Sequence, residues 1–172
     1  MKSEKIWLVV LLISAILAQF ALENSFSFLG GKINLILVAL VVLINLMDFS
    51  FVIIFAVIAG LILDIYSGLP FGLISLSLFL TALLGELLFV NFFTNFSFYS
   101  LLIMGFLAAV FYHLLFSLLV VGSYFVGLSD FLPKLTDFYG LLWQVLSAEV
   151  LMVLAYYLVN MLSKRFKPIF LR

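Results

Sequence analysis

Residues 60–72 read Gly60-Leu-Ile-Leu-Asp64-Ile-Tyr-Ser-Gly68-Leu-Pro70-Phe-Gly72: one carboxylate, three glycines and a proline between two strongly apolar segments. An acid near hydrocarbon costs about 2.5 to 3.5 kcal/mol on insertion scales, so Asp64 is expected to face protein or water. Glycine gives up backbone freedom and proline lacks an amide hydrogen, so Gly68, Pro70 and Gly72 mark a break between two helices. The reading of the whole chain follows from whether those flanking helices lie in a membrane.

Composition says that they do. Of 172 residues 67% are hydrophobic and 9% charged, and the mean hydropathy is +1.42. A soluble domain of this size could not hide so much apolar surface. The chain is therefore read as an all-α, polytopic membrane protein, one domain over residues 1–172 with no room for a soluble catalytic module. Cysteine is absent, which excludes disulfide and thiolate chemistry, and a single histidine cannot by itself make a metal site.

Counted against the roughly 20 residues that cross a bilayer, the apolar runs give six transmembrane helices, at about 6–22, 33–47, 51–63, 71–90, 98–121 and 139–162. The first resembles a signal-peptide core but lacks a well-placed small-x-small cleavage site, and is read as a retained anchor. Residues 23–32 form a loop. The second and third spans are short and joined only by Asp48, Phe49 and Ser50, so a tight hairpin is expected, with a thinned bilayer or neighbouring helices covering their ends. Residues 91–97 form a turn. In the long loop 122–138, Phe131, Leu132, Leu135 and Phe138 are spaced for one side of a short interfacial helix.

Charge placement tests the count. Six spans put both termini on one side, gathering Lys2, Lys5, Lys164, Arg165, Lys167 and Arg172 against Lys32 and Lys134. By the positive-inside rule both termini are cytoplasmic, and the break at Asp64 to Gly72 lies toward the outer face. Merging the second and third segments into one span would separate the basic tails and weaken the bias.

Polar residues inside the spans form stripes. Ala56, Gly60 and Asp64 recur every four residues, a small-xxx-small seam that lets another helix approach closely. Asp64 then either receives a partner group or caps backbone amides in the Tyr66 to Gly68 turn. Ser75, Ala82 and Glu86 share a stripe on the fourth span beside Gly85, and Glu86 is expected to snorkel to the headgroups or to pair with a partner's cation. Asn45 and Asp48 lie near its depth. Glu149 falls near the middle of the last span, with Tyr156 and Asn160 continuing its face, while Gly105, Ala109 and His113 recur every four residues on the fifth. Antiparallel packing of the last two spans would bring His113 to Glu149; otherwise each meets backbone carbonyls, hydroxyls or water.

Acid/base or metal chemistry needs a nucleophile, water or several ligands at fixed spacing, and no such pattern occurs, so the protein is not read as an enzyme and no cofactor is expected. Gly127-Leu-Ser-Asp resembles half of an intramembrane serine-protease motif but has no suitably placed histidine. No phosphate loop or basic nucleic-acid patch is present, and the Lys164 to Lys167 cluster reads as an anchor to anionic lipid headgroups.

The pattern Gly60-x3-Asp64-x3-Gly68-x-Pro70-x-Gly72, followed by the apolar helix Leu73 to Leu88, closely resembles the signature region of the rod shape-determining protein MreD family. Size, six-span hydropathy and short basic termini are similar as well; the specific match covers about 25 residues. The resemblance implies a non-enzymatic scaffold of the bacterial cell-elongation machinery in the cytoplasmic membrane. Its partners would be MreC, RodA with its penicillin-binding transpeptidase, and indirectly MreB filaments. The family also resembles, in helix arrangement, the substrate-binding subunits of energy-coupling-factor vitamin transporters. The rival reading is such a transporter subunit, with the Asp64 break, Ser75 and Glu149 lining a substrate pocket.

Overall fold

The computed structural model describes residues 14, 17, 19, 34–92, 97–127 and 138–165, and these are helical apart from short connections. In chain order the helices are α1 (Leu35–Leu46), α2 (Phe49–Ser67), α3 (Leu73–Phe92), α4 (Phe98–Phe125) and α5 (Phe138–Arg165). The last four are long and apolar enough to cross a membrane. Against the expected segments, α2 is longer than 51–63 at both ends, α3 is shifted by two residues from 71–90 at the same length, and α4 and α5 run a few residues past the expected ends of 98–121 and 139–162. Gly122, expected to open a loop, lies inside α4. The first expected span, 6–22, and the interfacial helix around Phe131 to Leu135 lie outside the described residues, although Ser14, Leu17 and Gln19 are helical.

The segment expected to span at 33–47 forms a short helix. At 12 residues α1 is only about 18 Å long by helix rise, against a hydrocarbon core of about 30 Å. It forms the core of the bundle. Ile36, Leu37, Leu40 and Val41 are completely buried, and α1 packs against α2, α3, α4 and α5. A helix apolar on every side has nowhere better to be than among other helices.

Its start is fixed by two side chains. Asn34 Oδ1 accepts from the Leu37 amide at 2.9 Å, and Gln19 Oε1 reaches back to accept from the Leu35 amide at 2.7 Å. Two of the amides that a helix N-terminus leaves without partners are thus satisfied away from water. Between α1 and α2 stand only Met47 and Asp48, whose carbonyl receives the Phe51 amide at 2.9 Å. The tight hairpin expected there is present.

Around α1 the order of packing follows the chain: α2 against α3, α3 against α4, α4 against α5. This places α2 and α5 on different sides of the bundle. The core between them is built from Val52, Phe55, Ala59, Leu78, Leu101, Met104 and Met152.

Candidate functional site

The Gly60–Gly72 stretch folds into the connection between α2 and α3. Gly68, at φ 66°, ends α2 in the left-handed conformation that a side chain disfavours, and Gly72, at φ 100°, lies in the same half of backbone space before α3 starts. Ser67 Oγ donates to the Asp64 carbonyl at 3.1 Å, and the Leu69 amide donates to Ser67 Oγ at 3.3 Å. On the far side the Pro70 carbonyl receives the Leu73 amide, and the Gly72 carbonyl receives the Leu76 amide at 2.9 Å and Ser75 Oγ at 3.1 Å. The break therefore satisfies most of its own backbone.

Asp64 completes it. Its Oδ1 accepts from the Ile74 amide at 2.8 Å and its Oδ2 from the Ser75 amide at 3.0 Å, with the side chain 3% exposed. The carboxylate does cap amides, but not those of the Tyr66 to Gly68 turn. It reaches over that turn and caps the first turn of the next helix. Negative charge belongs there, because the exposed amides and helix dipole make that end partly positive. Hydrogen bonds to a charged group contribute about 1.5 to 3 kcal/mol each, so two of them cover the insertion cost of the acid.

The seam below Asp64 is also occupied from within the chain. Ala56 and Ala59 are completely buried, and a Cβ built on Gly60 would lie 2.3 Å from Ser75 Cα and 3.0 Å from its nitrogen. Only a glycine lets α3 come so near. The expectation that Ala56, Gly60 and Asp64 form a docking seam for a partner is thus corrected: the close approach is made by α3, and no second helix can settle there. The structure gathers Ala56, Gly60, Asp64, Gly68, Pro70, Gly72 and Ser75 into one α2–α3 clasp.

The remaining polar residues stand apart from it. Ser75, Ala82, Gly85 and Glu86 do share the inward stripe of α3, and all four are buried. Glu86, 9% exposed, therefore neither snorkels outward nor offers itself at the bundle's surface. Along α3 the hydroxyls of Ser77 and Thr81 return to the Leu73 and Ser77 carbonyls, both at 2.7 Å, which quiets them in an apolar setting.

On the other side of the bundle, α4 and α5 pack with Gly105 against Met152; a Cβ on Gly105 would meet Met152 Cγ at 2.9 Å and Glu149 Oε1 at 3.4 Å. Ala109 is buried on the same face. His113 does not pair with Glu149. Its Nδ1 lies 3.1 Å from Gln144 Oε1, because the register that sets Gly105 opposite Met152 brings residue 113 opposite 144. Glu149 faces α4 two turns away, with Oε1 buried and without a hydrogen-bond partner. Tyr156 stands edge-on to Phe98 at 5.2 Å, and Asn160 is half-buried further along α5.

Gln144 and the Gln19 bond to α1 were missed by sequence reasoning. A lone glutamine carries no spacing signal, and both contacts depend on packing register. Among the described residues no three His, Cys, Asp or Glu side chains gather as a metal site would need. The chain matches no protein-family model, no curated protein and no solved structure.

Proposed function

We propose that this protein is a membrane scaffold of the MreD type, acting in bacterial cell elongation by holding MreC and, with it, RodA and its transpeptidase in the cytoplasmic membrane. The observation that carries the reading is the clasp. Four of the five distinctive residues of the resembling pattern have a physical task in it: Gly60 for close approach, Asp64 as cap, Gly68 and Gly72 for backbone conformation. A pattern whose parts each meet a separate physical constraint is a more specific resemblance than hydropathy.

With the seam used inside the chain, the partner-facing surface moves to α5. Only 17% of its apolar window is buried, against 33–39% for α2, α3 and α4. Leu142, Leu146, Val150, Leu154 and Leu158 form an exposed stripe at four-residue spacing, and Glu149 lies beside it. A single transmembrane helix laid on that stripe could donate a hydrogen bond to the carboxylate. Such bonds contribute roughly 0.6 to 2 kcal/mol in bilayers.

The transporter reading has less support. Both Asp64 oxygens are engaged by backbone amides, Ser75 is packed on Gly60, and Glu149 belongs to a helix on the other side of the bundle. These residues do not line one pocket. Purification with a tagged MreC separates the two: a scaffold is recovered in stoichiometric amounts and shows no thermal shift with vitamins. Retention of a small molecule in place of MreC would reject the scaffold.

A further inference from the structure

Halfway along α5 stands a carboxylate that the fold leaves without a counter-group. Glu149 lies near the middle of the membrane window Gly140–Met161, and its Oε1 is buried without a hydrogen-bond partner. The oxygen rests in the room left by Gly105 on α4, where a Cβ would come within 3.4 Å of it and within 2.9 Å of Met152 Cγ. His113 is two turns away, with its Nδ1 on Gln144 Oε1 at 3.1 Å.

The rest of the chain offers no cation at that depth. None of its eight Lys and Arg residues falls inside the four membrane windows, and Lys164, 15 residues further on, lies about 22 Å away along the helix. A charge so placed in hydrocarbon is costly, and acids inside membranes are characteristically paired. A hydroxyl or amide from outside would bond the carboxylate and leave its charge standing. A basic side chain would cancel the charge, through a hydrogen bond about twice as strong as a neutral one.

The carboxylate can be reached from the outer side of α5, because Glu149 is half-buried and its neighbours Leu146 and Val150 are 58% and 62% exposed. A second copy of the chain is a poor occupant, since a two-fold contact along this face sets Glu149 against Glu149. We propose that the outer face of α5 receives a transmembrane helix of another protein that carries Lys or Arg near its midspan, paired with Glu149. The inference rests on the α5 surface of the scaffold reading and adds the chemistry that selects the helix laid on it.

Single-span peptides of about 20 leucines with Lys, Arg, Gln or Leu at the centre test this in phosphatidylcholine vesicles. Their association with the full chain is read by energy transfer from a dye on one cysteine added after Arg172, the chain having no other. The Lys and Arg peptides should bind roughly 3- to 30-fold tighter than the Gln and Leu peptides, and Glu149→Gln should remove that preference. Equal binding of the basic and Gln peptides, or a preference that persists in Glu149→Gln, would overturn the pairing. Should Glu149→Gln fail to fold, the peptide series on the unaltered chain decides alone. Capture by tagged MreC keeps the two readings apart: no recovery of the unaltered chain rejects the scaffold and leaves the peptides to decide the pair, whereas recovery without any peptide preference keeps the scaffold and rejects the pair.

Discussion

Asp64 binds two amides that have no other partner, so its replacements should rank by how many acceptors they keep. Asp64→Ala strands both amides in a buried position and should cost about 2 to 4 kcal/mol, whereas Asp64→Asn keeps one acceptor and should cost about half as much. Equal losses for the two, measured by equilibrium unfolding in mixed micelles, would show that the carboxylate does not cap α3. Gly60 and Gly68 separate two uses of glycine. Gly60→Ala drives a methyl into Ser75 backbone and should cost about 3 kcal/mol or more, while Gly68→Ala meets open space and should cost about 1 kcal/mol through its left-handed φ. At this scale the sequence was informative about residue type: a glycine-carboxylate-glycine-proline-glycine pattern announced a break and a cap. Which amides Asp64 would take was not readable, because that depends on how the backbone returns after Pro70.

The helices show where hydropathy stops being informative. Spans α3 to α5 were legible as apolar runs of about membrane length and α2 only as a short one, because Asp64 interrupts its last turns; α1, equally apolar, lies in the core at about half the membrane length. Hydropathy measures what a helix avoids, water, and both lipid and protein satisfy that. Truncation distinguishes them: Leu40→Ala in α1 should cost about 2 to 5 kcal/mol, and Leu146→Ala on the outer face of α5 under about 0.5 kcal/mol, since lipid fills the space. Register was the other hidden quantity. Four-residue spacing put His113 and Glu149 on faces that could meet, but the α4–α5 stagger pairs His113 with Gln144 instead. A double-mutant cycle on His113 and Gln144 should yield a coupling of about 0.5 to 1.5 kcal/mol, and the cycle on His113 and Glu149 should be additive.

For the whole molecule, α2, α3 and α4 each bury about twice the share of their apolar windows that α5 does, so α5 is the least covered of the four spanning helices and carries a midspan carboxylate. Charge bias along the chain adds an orientation to this: reporters fused to either terminus should be active in the cytoplasm, which requires α1 to cross within the bundle as one of six spans, and an outward C-terminus would show that it does not. The chain contains no cysteine, so single probes can be introduced at chosen positions without a background. Photoreactive probes on Cys substituted for Val150, exposed on α5, and for Ala56, buried in the clasp, report directly on which surface meets the partner. Cells carrying the Val150 probe should give a cross-link to MreC and those carrying the Ala56 probe none; cross-linking from Ala56, or none from Val150, would contradict the account.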